Sequence, residues 1–355
     1  MIMNSVILKD LNEIYSSSII DWNRFMHKSV LITGAYGMLA SYMVYMLIYL
    51  NEEKVLDIQI FALGRNADKF NERFGEYLQR PYFHIVNKSV CEPFELENEK
   101  IDFIIHAASP ASSHFFGTDP VGVANTNIIG TFNMLEMARK YNAESFLFFS
   151  SGAVYGDLEK EFIDESDTGR VYQMDVRSCY AESKRAAENL SKCYSYQYNV
   201  PVKIVRPSHT YGPTTDIEND SRVFAEFTSD IVNKRNMTIK SDGGATRVFC
   251  YIADATEAYF KILLDGLNGE AYNVSSDKGL ISIRELAYIL VGLYPKLQLN
   301  VIFDENNHRA GYLEDKKKFH PQYSTKKLEA LGWTSKYTIE EGFKRTIDSF
   351  KEANF

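Results

Sequence analysis

The chain has 355 residues, of which 45% are hydrophobic and 24% are charged. This composition indicates a folded protein with a sizeable core and excludes a disordered chain. The formal net charge of -8 gives no basis for binding nucleic acid through a broad positive surface. The four cysteines form no C-x-x-C pair, so we expect neither a metal site nor a disulfide framework.

The N-terminal region does not resemble a signal peptide, because acidic residues precede any long apolar run. The longest apolar stretch, residues 38–50, is too short and too interrupted to span a bilayer. We therefore expect a cytoplasmic protein with no membrane partner.

Residues 1–27 are predicted to form an N-terminal helical extension that packs on the surface of the domain, with Leu8, Leu11 and Ile14 at helical spacing. A strand at 29–33, a glycine-containing turn and a helix at 38–50 follow. Further strands are predicted at 58–63, 83–86, 101–105, 145–149 and 202–205, and further helices at 120–141 and 178–198. Apolar strands that alternate with helices predict a parallel sheet covered on both faces, which is a Rossmann doubly wound α/β fold over residues 28–210.

Beyond residue 211 the regular alternation of predicted strands and helices weakens. Helices are predicted at 222–234 and 283–293, with short strands at 237–240, 271–274 and 300–303. We expect residues 211–355 to form a smaller mixed α/β lobe over the ligand edge of the sheet, with some return to the first domain.

Two glycines separate the first strand from the first helix. Gly34 permits a tight turn, Gly37 lets the backbone approach a pyrophosphate, and the small Ala40 allows close helix packing. This pattern, directly after the first strand of a βαβ unit, predicts a dinucleotide site. The residues of the turn expected at the cofactor are Gly34, Ala35, Tyr36, Gly37, Met38 and Leu39.

The choice between NAD and NADP stays open on the sequence alone. The second strand ends without an acidic side chain to meet a ribose hydroxyl. Arg65 directly follows that strand; it either faces a 2′-phosphate or is an ordinary solvated charge.

Tyr180 and Lys184 are four residues apart on one face of a predicted helix. A neighbouring Lys184 ammonium and a nicotinamide cation both favour the phenolate, so together they are expected to lower the pKa of Tyr180 toward that of a general base. Ser151, at the end of a preceding strand, supplies a hydroxyl to orient a reacting alcohol. The alternative is a tyrosine and a lysine on an ordinary helix.

Taken together, these motifs resemble the extended short-chain dehydrogenase/reductase family, the NAD-dependent epimerase/dehydratase enzymes. The stretches at 106–112, 119–131, 210–213 and 331–342 look like those of UDP-glucuronate decarboxylases and dTDP-glucose 4,6-dehydratases. The resemblance implies oxidation of a sugar carbon, usually C4 of a nucleotide-diphosphate sugar, by a tightly bound NAD or NADP. It also implies a homodimer through residues 127–141 and 178–198.

The resemblance assigns further site residues. Those implied at the cofactor, besides Tyr180 and Lys184, are Val90, His106, Ala107, Ala108 and Ser109. Those implied at the sugar nucleotide are Ser112, His209, Arg222, Arg247 and Arg309. Two positions depart from the family: His209 replaces a usual Asn, and Ser89 replaces an Asp that contacts adenine.

A third departure concerns the reaction. Ala153 stands where decarboxylases and 4,6-dehydratases of this family carry Glu, and Gly152 stands where the dehydratases carry Asp. The turn resembles that of 4-epimerases, in which Ser, Tyr and Lys suffice, so 4-epimerisation is the favoured reaction. UDP-glucuronate decarboxylation, 4,6-dehydration, NADPH-dependent keto-sugar reduction and a catalytically silent nucleotide-binding protein are the alternatives.

Overall fold

A computed structural model of the chain describes residues 3–96, 100–304 and 322–352. Its strands are β1 (Ser29–Thr33), β2 (Gln59–Gly64), β3 (Phe83–Asn87), β4 (Phe103–His106), β5 (Ser145–Phe149), β6 (Phe162–Ile163), β7 (Val202–Pro207), β8 (His209–Tyr211), β9 (Met237–Ile239), β10 (Thr246–Tyr251), β11 (Glu270–Val274), β12 (Leu280–Ser282), β13 (Val301–Phe303) and β14 (Gln322–Tyr323). Its α-helices are α1 (Ser5–Ser16), α2 (Met38–Lys54), α3 (Ala67–Phe74), α4 (Phe115–Thr118), α5 (Pro120–Tyr141), α6 (Cys179–Tyr198), α7 (Val223–Val232), α8 (Ile252–Asp265), α9 (Ile283–Leu293), α10 (Lys326–Glu329) and α11 (Ile339–Glu352). Short 3-10 helices lie at Trp22–Phe25, Gly75–Gln79, Gly152–Tyr155, Val176–Ser178 and Pro295–Leu297.

The central sheet has seven strands in the order β3-β2-β1-β4-β5-β7-β11, and every pairing in it is parallel. Every residue of β1 and β5 is buried, because helices cover both faces of the sheet. The strand order reverses between β1 and β4, which opens a crevice at the carboxyl ends of these strands. The predicted Rossmann fold is confirmed.

Strand β11 corrects the expected position of residues 271–274. The local sequence suggested a short strand of the smaller lobe, whereas β11 pairs with β7 and forms the edge of the central sheet. Helix α8 packs against β5 and β7 of the same sheet. The second half of the chain therefore completes the core that the first half begins.

The smaller sheets lie in the second half of the chain or join it to the first. Strand β10 pairs in parallel with β8 and antiparallel with β12, and β13 pairs in parallel with β9. Strand β14 pairs in parallel with β6, which follows the turn after β5. This last pairing draws the segment that holds Tyr323 toward the end of the central sheet.

The apolar run at 38–50 belongs to the buried core. Helix α2 is almost entirely buried from Ala40 to Leu50. Across the parts of the chain that the structure describes, no helix combines the length and apolar character needed to cross a membrane.

Helix α1 is tied into the core through Asp10, a fully buried residue. Its carboxylate accepts hydrogen bonds of 2.5 Å from the Tyr42 and Tyr251 hydroxyls, and the Arg345 guanidinium donates to its other oxygen at 2.5 Å. Leu11 and Ile14 are buried as predicted, whereas Leu8 is 42% exposed. The N-terminal helix is therefore joined to α2, β10 and α11, and is not merely packed on the surface.

Candidate active site

The turn between β1 and α2 has the geometry that a bound pyrophosphate requires. Gly34 has a φ of +65°, and a Cβ there would lie 2.9 Å from the Cα of Ala108. The Gly37 N–H donates to the Gly34 carbonyl at 2.8 Å, and the Ala35 N–H donates to Leu63 at 3.1 Å. A side chain at Gly34 would strain the backbone and separate the turn from the end of β4.

The first turn of α2 is free of side chains that would compete with a phosphate. Gly37 is its N-cap, no side chain caps the helix, and its first turn holds no acidic residue. Backbone N–H groups and the helix dipole at such a terminus favour an anion. The residues present therefore fit the pyrophosphate of a dinucleotide. Behind this turn, the Met38 carbonyl accepts a 2.9 Å hydrogen bond from Thr214, and Leu39 packs against the core.

His106 holds the end of β4 in place. Thr33 Oγ1 accepts the backbone N–H groups of Ala107 and Ala108, so its own hydrogen points to His106 Nδ1 at 2.8 Å. His106 Nε2 then donates to Thr131 at 3.1 Å. Burial, with a contribution from the Lys184 charge, lowers the pKa of His106 to about 3. The imidazole is neutral at pH 7 and fixes the backbone at Ala107 and Ala108.

Ser151 and Tyr180 are brought together at the carboxyl ends of the strands. The Ser151 hydroxyl lies close enough to the Tyr180 phenol to favour its ionised form, and it accepts the Ala153 N–H at 3.2 Å. The Tyr180 ring stacks on Phe116, with ring centres 4.8 Å apart and planes inclined by 15°. This arrangement holds two hydroxyls side by side, as proton transfer from an alcohol requires.

Lys184 lies under this pair and points into the sheet. Its ammonium donates to the Phe149 carbonyl at 2.6 Å and lies 4.9 Å from the centre of the Phe148 ring. The residue is 2% exposed, and burial lowers its pKa to about 7. Lys184 is therefore a poorly solvated group whose charge is easily lost.

The pKa of Tyr180 differs from the prediction. Burial raises it, and this outweighs the opposing effects of the Ser151 hydrogen bond and the Arg222 charge. The sequence led us to expect a pKa lowered by Lys184, but the ammonium is directed to the Phe149 carbonyl. The phenol is thus neutral at pH 7 in this structure.

Asn127 is a site residue that the sequence analysis missed. It is fully buried in α5, and its side-chain amide donates to Ser183 at 2.9 Å while its oxygen accepts from Ser109 at 2.8 Å. Ser183 in turn donates to the backbone carbonyl of Tyr180 at 3.1 Å. The chain of bonds connects the loop after β4 to the helix that carries the phenol. A buried Asn on a helix that packs against the sheet was the available signal.

Arg222 and Arg247 lie close enough to the site to influence its phenols. The Arg222 charge favours the ionised form of Tyr180, while its guanidinium also pairs with Asp220 at 2.5 Å. Arg247, on β10, acts in the same way on Tyr323. His209, on β8, lies edge-on to Phe249 of β10, with ring centres 5.9 Å apart.

The remaining residues that the sequence predicted at the site lie in several separate segments of the chain. Val90 is buried against α5, where Asn133 donates to its carbonyl at 2.8 Å. The hydroxyl of Ser89 accepts the backbone N–H of Cys91 at 3.2 Å. Ser112 precedes α4 and is half-buried. Arg309 lies outside the described residues.

Tyr36 covers the end of β2, where the ribose of a dinucleotide would lie. A Cβ at Gly64 would be 2.4 Å from the Tyr36 ring, and the Tyr36 hydroxyl accepts the Arg65 backbone N–H at 3.3 Å. The Arg65 side chain is exposed. No group of three or more His, Cys, Asp or Glu within the described residues is arranged to hold a metal ion.

The comparison with known families decides the assignment. Residues 30–275 match the NAD dependent epimerase/dehydratase family. The chain belongs to this family. UDP-glucuronic acid decarboxylase 6 of Arabidopsis thaliana is 31% identical to it over 323 residues, which cover 91% of this chain and 88% of the relative. The family resemblance proposed from the motifs is confirmed.

Solved structures of family members share the fold. UDP-glucose 4-epimerase of Thermotoga maritima, in complex with UDP-glucose, has a TM-score of 0.76 at 21% identity, over 92% of this chain and all of the other. dTDP-glucose 4,6-dehydratase of Bacillus anthracis, in complex with NAD, has a TM-score of 0.72 at 20% identity, over 92% of this chain and 97% of the other. At these identities the likeness concerns architecture alone.

Proposed function

We propose that this enzyme uses NAD to oxidise C4 of UDP-glucuronate and releases carbon dioxide to form a UDP-pentose. The observation that carries the proposal is the proximity of Ser151 to Tyr180 at the strand ends, at the same edge of the sheet as the uncapped start of α2. The decarboxylase relative, which aligns with 91% of the chain, favours UDP-glucuronate among nucleotide sugars.

The first step is oxidation at C4. The Tyr180 phenolate accepts the proton of the C4 hydroxyl, while Ser151 holds the oxygen of that hydroxyl. A bound nicotinamide supplies the acceptor for the C4 hydride and later returns it. Because burial keeps the Tyr180 phenol neutral, the phenolate has to form before this step. A bound oxidised nicotinamide, which is a cation, would favour that ionisation together with Arg222 and Ser151.

The second step requires no carboxylate on the protein. A ketone at C4 makes the uronate a β-keto acid, so the C5–C6 bonding electrons pass toward the C4 oxygen as carbon dioxide leaves. The Ser151 hydroxyl donates to that oxygen and stabilises its growing negative charge. C5 then takes up a proton from solvent, and Tyr180 gives its proton back to the C4 oxygen as reduction of C4 completes the UDP-pentose. The methyl group of Ala153 is compatible with this chemistry.

Epimerisation at C4 is the second candidate. The turn after β5 that contains Ser151, Gly152 and Ala153, hereafter the catalytic turn, favours it. Neither Gly152 nor Ala153 provides an acid or a base, and epimerisation needs only Ser151, Tyr180 and Lys184. In that reaction the hydride returns to the opposite face of C4. The relative supports decarboxylation, whereas the turn supports epimerisation, the reaction that the sequence analysis favoured.

Product analysis separates the two. The purified enzyme, supplied with NAD and UDP-glucuronate, should release carbon dioxide and form a UDP-pentose, as detected by mass spectrometry and proton NMR. A UDP-uronate of unchanged mass and inverted C4 would establish the second candidate. A 6-deoxy-4-keto product from a UDP- or dTDP-hexose would indicate dehydration, and stoichiometric NADPH oxidation would indicate reduction. Tyr180→Phe is the matched inactive control.

The partner and cofactor assignments remain part of this proposal. We expect Arg222, Arg247 and His209 to contact the nucleotide sugar, because guanidinium groups suit a diphosphate. We expect a homodimer through α5 and α6, because Ile128, Ile129 and Phe132 are 39–45% exposed on α5. Sedimentation analysis tests the dimer. The cytoplasmic location stays a prediction.

A further inference from the structure

The Tyr323 hydroxyl lies against the catalytic turn. A Cβ placed on Gly152 would be 2.6 Å from this hydroxyl oxygen, closer than real Cβ atoms approach. The phenol therefore occupies the space that any side chain at position 152 would take. Gly152 directly follows Ser151, so a group beside it is one residue from the hydroxyl that pairs with Tyr180.

The ring of Tyr323 is fixed by its surroundings. Tyr323 is in register with Ile163 in the β14–β6 pair, and its ring centre lies 5.8 Å from that of Tyr155. It packs against a small apolar cluster of Val154, Tyr155 and Ile163. These contacts hold the ring, so the position of the hydroxyl is set by the fold.

The hydroxyl itself forms no hydrogen bond to the residues that the structure describes. Burial raises the pKa of Tyr323, with an opposing effect from the Arg247 charge, so the phenol is protonated at pH 7. A protonated phenol has one hydrogen to donate. A partly buried donor with no partner in the described part of the chain, placed beside reacting groups, suits an oxygen-rich ligand.

We propose that Tyr323 contacts the substrate and determines its specificity, by donating a hydrogen bond to an oxygen of the sugar. The inference rests on the proposed function, since the reacting carbon must lie at Ser151 and Tyr180. The sugar atoms next to that carbon then come beside Gly152, within reach of Tyr323. The phenol thus supplies, from the far end of the chain, the polar group that the turn lacks at position 152.

Binding measurements test this role without relying on turnover. Calorimetry would compare UDP with UDP-glucuronate on the NAD-loaded wild type and on Tyr323→Phe, which keeps the ring and removes only the hydroxyl. UDP affinity should change by less than about twofold, whereas UDP-glucuronate should bind about 2- to 12-fold more weakly, the range for one lost hydrogen bond. Unchanged thermal unfolding would show that the packing on Tyr155 is kept.

Tyr155→Phe is the matched control. Its hydroxyl belongs to the same cluster but donates to Asn273 at 2.5 Å inside the protein. This change should lower stability and leave the ratio of the UDP-glucuronate and UDP affinities as in the wild type.

Two outcomes would overturn the inference, and they are distinguishable. Tyr323→Phe could bind UDP-glucuronate as tightly as the wild type does, or it could lose affinity for UDP and UDP-glucuronate in parallel. Either result would remove Tyr323 from the sugar site and leave the proposed function intact. A wild type that binds neither ligand would overturn the proposed function and the role of Tyr323 with it.

A substitution on the other side of the contact gives an independent test. Gly152→Ala places a methyl group on the Tyr323 hydroxyl and should weaken UDP-glucuronate binding as Tyr323→Phe does. The double variant Gly152→Ala/Tyr323→Phe should lose less binding free energy for UDP-glucuronate than the sum of the losses in the two single variants, because both changes remove the same contact. Fully additive losses would contradict the proposal.

Discussion

The Lys184 ammonium and the Phe149 carbonyl are joined by a hydrogen bond of 2.6 Å at the end of β5. This bond directs the lysine that the sequence predicted to be catalytic into the sheet, away from the phenol that it was expected to activate. Burial lowers the lysine pKa to about 7, so near neutral pH the site holds both charged and neutral forms of Lys184.

We predict that Lys184 makes folding stability rise with pH. Its pKa is about 7 when folded, against 10.5 when unfolded. Between these values the unfolded state binds more protons, so the contribution of Lys184 to stability increases from pH 7 to pH 10.5. Lys184→Met should raise the free energy of unfolding by about 1–3 kcal/mol at pH 6, and by less as the pH rises. Chemical denaturation across this range measures the difference; a difference independent of pH would contradict the prediction.

Tyr180→Phe should abolish turnover and leave cofactor binding near the wild-type level. Phenylalanine keeps the stacking on Phe116 but cannot accept the substrate proton, so kcat should fall at least about 100-fold. NAD occupancy after gentle purification, measured by mass analysis, is the control. Turnover within about tenfold of the wild type would remove Tyr180 from proton transfer.

Ala153→Glu discriminates between the two candidate reactions. In a decarboxylase, the added carboxylate supplies the group that the family resemblance implies at this position and should raise carbon dioxide release by about tenfold or more. In an epimerase it adds charge and bulk without a proton to transfer, and interconversion should slow. Ala153→Gln controls for size. Slower turnover in both variants, with C4 epimers as products, would exclude decarboxylation.

Arg65→Ala tests the choice of cofactor. If the guanidinium binds a 2′-phosphate, NADP affinity should fall by about 1–3 kcal/mol and NAD affinity should not change. The Arg65 backbone N–H, which donates to Tyr36, survives the substitution and keeps the turn intact. Fluorescence titration with each dinucleotide provides the measurement. Equal losses of affinity for both dinucleotides, or no loss for either, would show that Arg65 is only a surface charge and that the enzyme uses NAD.

Gly34→Ala should damage both stability and cofactor binding. Its φ of +65° is unfavourable for alanine, and the new methyl would approach Ala108 to 2.9 Å, so we expect a loss of about 1–3 kcal/mol. Gly292→Ala is the control: it lies in α9, its added methyl group would meet no described atom within 4 Å apart from its chain neighbours and the backbone of its own helix, and the variant should gain up to about 1 kcal/mol. Thermal unfolding with and without NAD compares them. Equal behaviour of the two variants would contradict the role of Gly34.

The sequence predicts best what depends on local pattern. The strand at 29–33 and the helix at 120–141 have the predicted bounds, because a strand buried on both faces reads as a continuous apolar run and a long helix has clear limits. The sequence indicated some return of the second half to the first domain but did not identify β11 as that return, because its pairing with β7 joins residues far apart in the chain. Local periodicity contains no information on such pairing.

The predictions for the site divide in the same way between local motifs and long-range packing. The glycine turn and the spacing of Tyr180 and Lys184 are local motifs, and the structure brings them to one edge of the sheet. Asn127 and Tyr323 acquire their positions only through packing between distant elements. The direction of the Tyr180 pKa shift depends on burial, which a spacing of four residues does not predict.

The Asp10–Arg345 pair has a consequence for synthesis. The two residues are separated by 335 positions, and Asp10 is wholly buried among tyrosines and this guanidinium. On the ribosome, the first helix emerges long before its cation exists, so Asp10 must remain hydrated or protonated while the central sheet is assembled. The Asp10–Arg345 pair therefore forms only at the end of synthesis, and a chain cut short before residue 345 leaves the Asp10 carboxylate without this cation.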